Sequence, residues 1–493
     1  MSNGLLRSDQ SSDPRRSGHS SAPLGVGETI RLLGDWQSRP GGLASSLASA
    51  IRAAIEAGLL TSGDRLPAER ALAAGLSVSR STVVKALDEL RGEALVTSRQ
   101  GSGSVVTAPP GPLAPLHRQG QVGRLFVGGD AINLAAAVTA DTSWLPDLVV
   151  TSADLAAVVP AHGYDSTGPL TLRRLVSENL RNLGIEHRPE EIMVTTGAHQ
   201  AVSLALETLT RPGDPILVED PTYPGVHDIV GRLGLRPVPW PRDAAGPTPD
   251  GLRRGLAGGI RLAYVAGPVH NPTGTITGRS RCRTLAGLLS GSDCVLVEDS
   301  TLNGTRHRGD DAVAPIAALT RGVETVSVGS VSKTGWGGLR VGWLAASLPL
   351  VDRIERVRLG RDLGSSMVSA LMARRFLSMW PDLADARRMH LRRRQALTAE
   401  FVARELSEWD LLPAEAGLAS WVRTPLSDTL PLVQLAARYG VHVAPGSATR
   451  VGGVADPHLR ICFDRPEAVL TEGLRRLKSA WRALTHAEPP VTG

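Results

Sequence analysis

The sequence contains few cysteines and no long hydrophobic run. Its three cysteines, Cys282, Cys294 and Cys462, are far apart, and no C-x-x-C spacing is present. This pattern predicts a reducing, cytoplasmic compartment and no metal site. No apolar run approaches the roughly 20 residues that a membrane-spanning helix needs, and the polar first residues lack the apolar core of a signal peptide. We therefore expect no membrane association.

Lysine is also scarce. Of the 54 basic residues only Lys85, Lys333 and Lys478 are lysines, and all the others are arginines. A lysine that persists against this bias is a candidate for a task that arginine cannot perform. Forming an imine with an aldehyde is such a task, because the guanidinium group does not lose its proton in proteins. The net charge of +6 is compatible with binding to nucleic acid but is too small to decide the function.

The composition changes along the 493 residues, which are enough for two or three domains. Residues 1–41 are rich in Ser, Gly, Pro and Arg and are predicted to be a disordered tail. Residues 42–107 form a compact, mostly helical segment, and residues 108–128 form an exposed, semi-rigid linker. Residues 129–485 alternate short apolar runs with helical stretches, which is typical of an α/β domain.

The first folded segment has the pattern of three short helices and a hairpin. Apolar residues recur every four positions over residues 43–55, which predicts an amphipathic helix. Pro67 stands at a plausible first position of a second helix, and Ser79 can cap a third. Short apolar runs at 95–98 and 104–106 flank a glycine-rich tip and predict a hairpin. Together these elements predict a winged helix-turn-helix, whose third helix would enter the major groove of DNA.

Three strings in this segment resemble the GntR family of DNA-binding domains over nearly all of residues 42–107. They are Leu-Pro-Ala-Glu-Arg at 66–70, Val-Ser-Arg-Ser-Thr-Val-Val-Lys-Ala-Leu at 78–87 and Gln-Gly-Ser-Gly at 100–103. The start of the third helix and the resemblance together indicate a set of DNA contacts: Arg70, Arg80, Ser81, Thr82 and Gly101. Spacing alone leaves open a surface helix pair whose arginines are merely solvated.

The second folded segment contains five apolar runs, each followed by polar or glycine-rich residues. The runs lie at residues 191–196, 215–220, 262–267, 294–298 and 325–328. Such runs are typical of buried parallel strands. Open α/β sheets bind their ligands at the carboxyl ends of the strands. The five strand ends are therefore expected to direct one set of polar groups into one cleft.

The residues after these runs have the chemistry that a phosphorylated pyridine aldehyde needs. The phosphate requires amides at the start of a helix, hydroxyl groups and a guanidinium group. Six residues can supply them: Gly197, Ala198, His199, Ser330, Ser332 and Arg340.

Four further residues match the ring and the aldehyde. Asp299 is placed to keep the ring nitrogen protonated, Tyr223 to stack on the ring, and Asn271 to donate to the phenolic oxygen. Lys333 is the only nearby lysine that can join the aldehyde. Each of these features is weak alone, and their order and spacing carry the prediction.

Residues 129–485 resemble the fold type I aminotransferases over most of their length. The strings that carry the resemblance include 163–168, 195–201, 219–224, 271–274, 297–299, 330–343 and 459–463. The resemblance implies a pyridoxal 5'-phosphate (PLP) cofactor joined to Lys333 as an internal aldimine, with Asp299 at its ring nitrogen and Arg340 at its phosphate. It also implies that Arg460 binds an amino-acid carboxylate. Tyr164 would reach the phosphate in the other subunit of a homodimer.

One departure from the family pattern concerns the residues after Asp299. The family usually has a tyrosine two or three positions further on, where it bonds the phenolic oxygen of the cofactor. Here those positions are Thr301 and Leu302, so Asn271 remains the main donor. The departure puts efficient transamination in doubt and leaves cofactor binding as the expectation.

A GntR-type head, a linker and an aminotransferase-like body resemble the MocR family of bacterial regulators from end to end. The resemblance implies a transcription regulator, nucleoid-associated when bound, whose partners are a double-stranded operator, a second copy of itself and a PLP or amino-acid effector. Two alternatives remain open from the sequence. One is a working aminotransferase with a DNA-binding head, and the other is a dimerisation scaffold with a vestigial cofactor site.

Overall fold

A computed structural model describes residues 23–38, 41–56, 59–60, 62–99, 103–107, 122–126, 130–158, 162–308 and 314–486. The chain divides into two compact units, residues 1–118 and 119–493. Each unit has its own hydrophobic interior. Within the described ranges, no helix is both long and apolar enough to cross a membrane.

The first unit contains the predicted three helices and hairpin. The elements are α2 (Leu43–Glu56), α3 (Glu69–Leu76), α4 (Arg80–Gly92), β1 (Val96–Arg99) and β2 (Gly103–Val106), with β1 and β2 antiparallel. Ser79 caps α4 as expected, because its hydroxyl oxygen accepts the amide of Thr82 at 3.1 Å. Pro67 lies just before the N-cap of α3 rather than at its first turn, which corrects that prediction.

A further helix, α1 (Val26–Leu33), precedes these elements and corrects the prediction of a disordered tail over its range. It packs on α3 at Gly75, where an added Cβ would lie 2.4 Å from Val26. Ile30 is buried against this unit, and so is Trp36 in the short 3-10 helix that follows. These few apolar contacts hold the helix. They were not predicted because the surrounding sequence is mostly polar. Residues 1–22 lie outside the described residues.

Only residues 122–126 of the predicted linker are described by the structure, and residues 108–121 and 127–128 lie outside the described residues. Leu125 is buried in the second unit, whereas Gly123 and Phe126 are exposed. The amide of Val122 donates to Asp228 at 2.9 Å, and Asn133 donates to the carbonyl of Leu125 at 2.7 Å. These hydrogen bonds secure the point at which the chain enters the second unit.

The second unit is built around an eight-stranded sheet in the order β4-β11-β10-β9-β8-β5-β6-β7. The strands are β4 (Ile192–Thr195), β5 (Pro215–Asp220), β6 (Arg236–Asp243), β7 (Gly246–Pro247), β8 (Leu262–Val265), β9 (Val295–Asp299), β10 (Thr325–Ser330) and β11 (Gly342–Ala345). All five predicted strands are present. The strand β11, which was not predicted, runs antiparallel between β10 and β4.

Helices cover this sheet, and an apolar interior packs between them and the strands. They are α5 (Ser152–Val158), α6 (Leu170–Asn182), α7 (Ala198–Leu209), α8 (Pro224–Arg232), α9 (Pro249–Ala257), α10 (Arg279–Leu289), α11 (Ile316–Leu319), α12 (Leu348–Leu359) and the long α13 (Met367–Glu405). The α/β prediction for this half is therefore confirmed.

A smaller lobe completes the second unit. Its four-stranded sheet has the order β12-β13-β16-β15, formed by β12 (Asp410–Leu411), β13 (Ala419–Arg423), β15 (Ala444–Pro445) and β16 (His458–Cys462). The helices are α14 (Leu430–Arg438) and α15 (Glu467–His486). A two-stranded parallel pair joins β3 (Ile132–Asn133), at the start of the unit, to β14 (Val441–His442). The first residues after the linker are thus part of this lobe.

Candidate functional site

The structure places the predicted groups at neighbouring strand ends of the large sheet. Gly197 caps α7 after β4, Tyr223 precedes α8 after β5, and Asn271 follows β8. Asp299 is the last residue of β9, and Lys333 follows β10. Because these strands point their carboxyl ends to one edge, the five residues meet there.

The turn between β4 and α7 has the geometry of an anion site. Gly197 has φ +117°, which favours glycine, and an added Cβ would lie 3.3 Å from the guanidinium group of Arg340. Arg340 itself has φ +52°, a costly conformation for a non-glycine residue that aims its side chain at this turn. The first amides of α7, including those of Ala198 and His199, have no acceptor within the helix. Guanidinium and helix start therefore converge on one position.

Two hydroxyl groups adjoin this turn. The Ser330 hydroxyl oxygen lies 2.7 Å from that of Ser332 and 2.9 Å from the carbonyl oxygen of Val341. The amide of Ser332 donates to Ser330 Oγ at 3.0 Å. These contacts orient the loop from which Lys333 extends.

The Lys333 amine is partly buried and donates to the carbonyl of Ala137 at 2.6 Å. Withdrawal from water, aided by the guanidinium of Arg460, lowers the pKa of Lys333 to about 8. Asp299 acts on this pKa in the opposite direction, so all three charges lie near one another. An amine with this pKa is neutral, and therefore nucleophilic, in a sizeable fraction at physiological pH.

Both carboxylate oxygens of Asp299 accept hydrogen bonds. Thr301 donates to Oδ1 from its amide at 3.0 Å and from its hydroxyl at 2.5 Å. Tyr264, buried on β8, donates to Oδ2 at 3.2 Å. Burial nevertheless raises the pKa of Asp299 above its ordinary value. Sequence reasoning missed Tyr264, because a tyrosine inside an apolar strand gives no signal of its own.

The departure from the family pattern has a structural counterpart. The Thr301 hydroxyl is bonded to Asp299, and Leu302 is buried against Val269 and Ala416. Neither residue supplies a phenol. The tyrosine that the family usually has after the aspartate is therefore not replaced at these two positions.

Arg460 is almost fully buried and is partly engaged. Its guanidinium donates to Asn271 Oδ1 at 3.2 Å and to the carbonyl of Ala135 at 2.8 Å. Its Nε atom has no hydrogen-bond partner among the described residues. A buried guanidinium with an unused donor, beside Asn271 and Lys333, has the chemistry to bind a carboxylate.

Two aromatic predictions differ in their surroundings. Tyr223 lies beside the site, with its hydroxyl 3.4 Å from Nδ1 of His199, and burial raises its pKa. Tyr164 is 61% exposed in the single chain and stacks near His162. Tyr223 therefore lies in the site of its own chain, whereas Tyr164 is exposed and interacts with His162.

The residues predicted to touch DNA are mostly exposed on α3 and α4. Arg70 and Ser81 are exposed, and the Thr82 hydroxyl lies 2.8 Å from that of Ser79. Arg80 is 58% exposed but donates to Glu69 at 3.0 Å, a contact the sequence did not indicate. Gly101 lies outside the described residues.

These groups fit pyridoxal phosphate. Arg340 and the start of α7 can hold the phosphate, and Asp299 can hold the protonated ring nitrogen. Lys333 offers a primary amine, and Tyr223 an aromatic face. The fit rests on the donor set and on the cradle at Gly197 that a Cβ would fill.

Comparisons with known proteins divide the chain as the fold does. The family "Bacterial regulatory proteins, gntR family" matches residues 43–106, and "Aminotransferase class I and II" matches residues 131–477. The HTH-type pyridoxine biosynthesis transcriptional regulator PdxR of Corynebacterium glutamicum is 31% identical over 338 residues, covering 67% of this chain and 72% of that protein. The probable rhizopine catabolism regulatory protein MocR of Rhizobium meliloti is 27% identical, over 73% and 77%.

The chain belongs to the MocR family of transcription regulators. Like other MocR proteins, it joins a DNA-binding GntR head to an aminotransferase body of a pyridoxal-phosphate-dependent family. Among solved structures, LysN, the α-aminoadipate aminotransferase of Thermus thermophilus, superposes with a TM-score of 0.65 at 23% identity. The match covers 74% of this chain and 97% of LysN. It confirms fold type I for the MocR body.

Proposed function

We propose that this MocR regulator senses pyridoxal phosphate, alone or with an amino-acid-like effector, and that occupancy of the site changes operator binding. The observation that carries the proposal is Lys333: its pKa is lowered to about 8, and it lies among Arg460, Asp299 and Arg340. The same chain exposes Arg70 and Arg80 on a winged helix.

The residues of the site would share the work of binding. Bound to the chain, pyridoxal phosphate supplies an electrophilic aldehyde and an electron-accepting ring. Lys333 would bind the aldehyde, Asp299 would keep the proton on the ring nitrogen, and Arg340 would neutralise the phosphate. Arg460 would hold the carboxylate of an effector through its bidentate fork. Asp299 is oriented for this task by Thr301 and Tyr264.

The proposal includes a homodimer. Tyr164 lies on a loop that is held internally, because Asp165 accepts the amides of Thr167 and Gly168. Its exposed ring is available to a second copy, where it would reach the phosphate. Two heads on one dimer would bind two operator half-sites, whose spacing follows the protein's two-fold symmetry.

Borohydride reduction followed by peptide mapping tests the covalent part. The chain has only three lysines, so reduced pyridoxyl label on Lys333, Lys478 or Lys85 is easily told apart. We expect label on Lys333 alone, and none after Lys333→Ala. Lys478→Ala is the matched control, since Lys478 is ion-paired to Glu405 and lies outside the site. Label elsewhere, or nowhere, would refute the assignment.

Fluorescence anisotropy on the DNA upstream of the gene tests the regulatory part. We expect operator affinity to change when pyridoxal phosphate or one of a panel of amino acids is added, and we expect Lys333→Ala to abolish the change. Steady conversion of an amino acid and a 2-oxo acid would instead support an aminotransferase. A label on Lys333 with no effect on DNA binding would contradict the sensor.

A further inference from the structure

Five carbonyl oxygens near the start of the second unit accept hydrogen bonds from three basic side chains, of which Lys333 and Arg460 belong to the candidate site. The same stretch is also paired through its backbone to β14 and to Cys462. We define the lead-in segment as Asn133–Thr139, which follows the predicted linker in the chain. Arg465 donates to three of its carbonyls, Arg460 to one and Lys333 to one. The acceptors are the carbonyl oxygens of Asn133, Val138, Ala136, Ala135 and Ala137, at 2.6 to 2.8 Å.

Two of these donors are the groups that a ligand requires. When the Lys333 amine condenses with an aldehyde, a carbon–nitrogen double bond forms, one water leaves and the two N–H bonds of the neutral amine are lost. The hydrogen bond from Lys333 to Ala137 cannot survive this step unchanged. A carboxylate on Arg460 likewise competes with the carbonyl of Ala135 for the same guanidinium. Ligand binding therefore changes what holds the lead-in segment.

Arg387 joins the same segment to the backbone of the lysine. This fully buried side chain of α13 donates to the carbonyl of Lys333 at 3.1 Å and to the hydroxyl of Thr139 at 2.9 Å. Asp464 accepts from both terminal nitrogens, at 2.6 and 3.1 Å, and the centre of the Trp144 ring lies 4.7 Å from the guanidinium carbon. Arg387 contacts neither the phosphate turn nor Asp299 in these interactions, so it is not a catalytic residue.

We propose that the lead-in segment transmits occupancy of Lys333 and Arg460 to the DNA-binding unit, with Arg387 as its positioning residue. The inference rests on the proposed function, because it concerns the regulation of that site. The two binding events are linked by a coupling free energy. A ligand that breaks the hydrogen bonds of the lead-in segment changes the conformation that this segment prefers, and thereby the affinity of the DNA-binding unit for the operator. Coupling is reciprocal, so operator binding changes ligand affinity by the same factor.

Thr139→Val tests the coupling with little disturbance. The substitution removes the hydroxyl that accepts from Arg387 and leaves the Arg387–Asp464 ion pair intact. Thr398→Val is the matched control, because Thr398 is also buried and its hydroxyl bonds only the backbone of α13. Arg387→Lys is a second variant that retains the charge but cannot reach Asp464, Thr139 and the lysine carbonyl together.

Hydrogen exchange of peptides covering residues 130–143, with and without pyridoxal phosphate, gives the first readout. In the parent protein we expect the cofactor to speed exchange in this segment, because the Lys333 donor is removed. The second readout is the ratio of operator affinities with and without the cofactor. We expect Thr139→Val and Arg387→Lys to bring this ratio closer to one by about 2- to 10-fold, and Thr398→Val to leave it unchanged.

The outcomes separate this inference from the proposed function. If Lys333 carries the cofactor and operator binding responds, but Thr139→Val and Arg387→Lys behave like Thr398→Val, the lead-in segment is not the route. Unchanged exchange over residues 130–143 on cofactor binding would overturn it equally. If no lysine carries the cofactor, both the proposed function and the inference fail.

Discussion

The two halves of the molecule present their functional side chains in different ways. Four of the five groups expected to touch DNA are close together in the sequence, on α3 and the first turn of α4, and are largely exposed. The groups expected to hold the ligand are spread from Tyr164 to Arg460, most of them at strand ends of the large sheet, and several are hydrogen-bonded to neighbouring side chains. In the DNA-binding unit, the functional side chains can therefore be substituted without disturbing the packing. In the other half, binding and packing share the same side chains.

One exposed and one buried arginine–carboxylate pair illustrate this difference between the two units. Arg80 and Glu69 meet at 3.0 Å on the surface of the first unit, with Arg80 more than half exposed. Arg387 and Asp464 meet at 2.6 Å with no exposed surface on either side chain. Burial opposes ionisation of Asp464, but hydrogen bonds from His390 and Arg387 outweigh it and lower its pKa to about 2. Only the second pair is expected to affect stability strongly.

The largest expected effect is that of Arg387→Met. It leaves the buried Asp464 carboxylate with His390 as its remaining side-chain hydrogen-bond partner among the described residues, so the free energy of unfolding should fall by about 3–5 kcal/mol. The double substitution Arg387→Met and Asp464→Leu removes both charges and should recover most of this loss. Urea unfolding followed by circular dichroism measures both. Equal losses in the single and double variants would show that packing, not the unpaired charge, sets the cost.

Local signals in the sequence predicted the parts of the fold that depend on local chemistry. The Ser79 cap, the hairpin and the five strands with their polar ends all lie where the pattern put them. The sequence pattern could not predict contacts between residues that are far apart in the sequence. Arg387 and Asp464 are 77 residues apart, and nothing in either neighbourhood indicates the other.

The same reasoning explains the missed elements. The strand β11 begins within the string 330–343, where its first residues were interpreted as part of a motif, and its place between β10 and β4 depends on contacts between distant residues. Helix α1 is eight residues long and too short to be stable alone, so its existence depends on packing at Gly75. Tyr264 acquires its role only because β8 and β9 are neighbours.

The next effect concerns the pH dependence of cofactor attachment to Lys333. Burial lowers the pKa of this amine from 10.5 to about 8, so the neutral fraction should rise about fivefold between pH 7 and pH 8 and less than twofold above that. An ordinary lysine would gain about tenfold per pH unit over the same range. Stopped-flow absorbance after mixing with pyridoxal phosphate measures the rate. A rate that climbs steadily to pH 10 would contradict the lowered pKa.

The same pKa fixes the sign of a stability effect. The folded state binds fewer protons at Lys333 than the unfolded state between about pH 8 and pH 10.5, so this residue makes stability rise with pH across that window. Arg460→Gln removes the charge that lowers this pKa most and should move the midpoint of attachment to higher pH. A midpoint that stays in place would show that Arg460 does not contribute to the lowered pKa.

The smallest expected effect belongs to the exposed pair, and it separates function from packing most cleanly. Arg80→Ala should weaken binding to the specific operator by about 1–3 kcal/mol, as expected for the loss of one good base contact. It should change the free energy of unfolding by less than about 1 kcal/mol, because its ion pair with Glu69 is exposed.

Arg253→Ala is the control, since Arg253 is similarly exposed and paired with Asp250. Anisotropy on specific and unrelated duplexes distinguishes the two roles of an arginine. If Arg80→Ala weakens both duplexes equally, Arg80 contacts phosphate rather than a base, and if neither changes, α4 does not enter the groove at this residue.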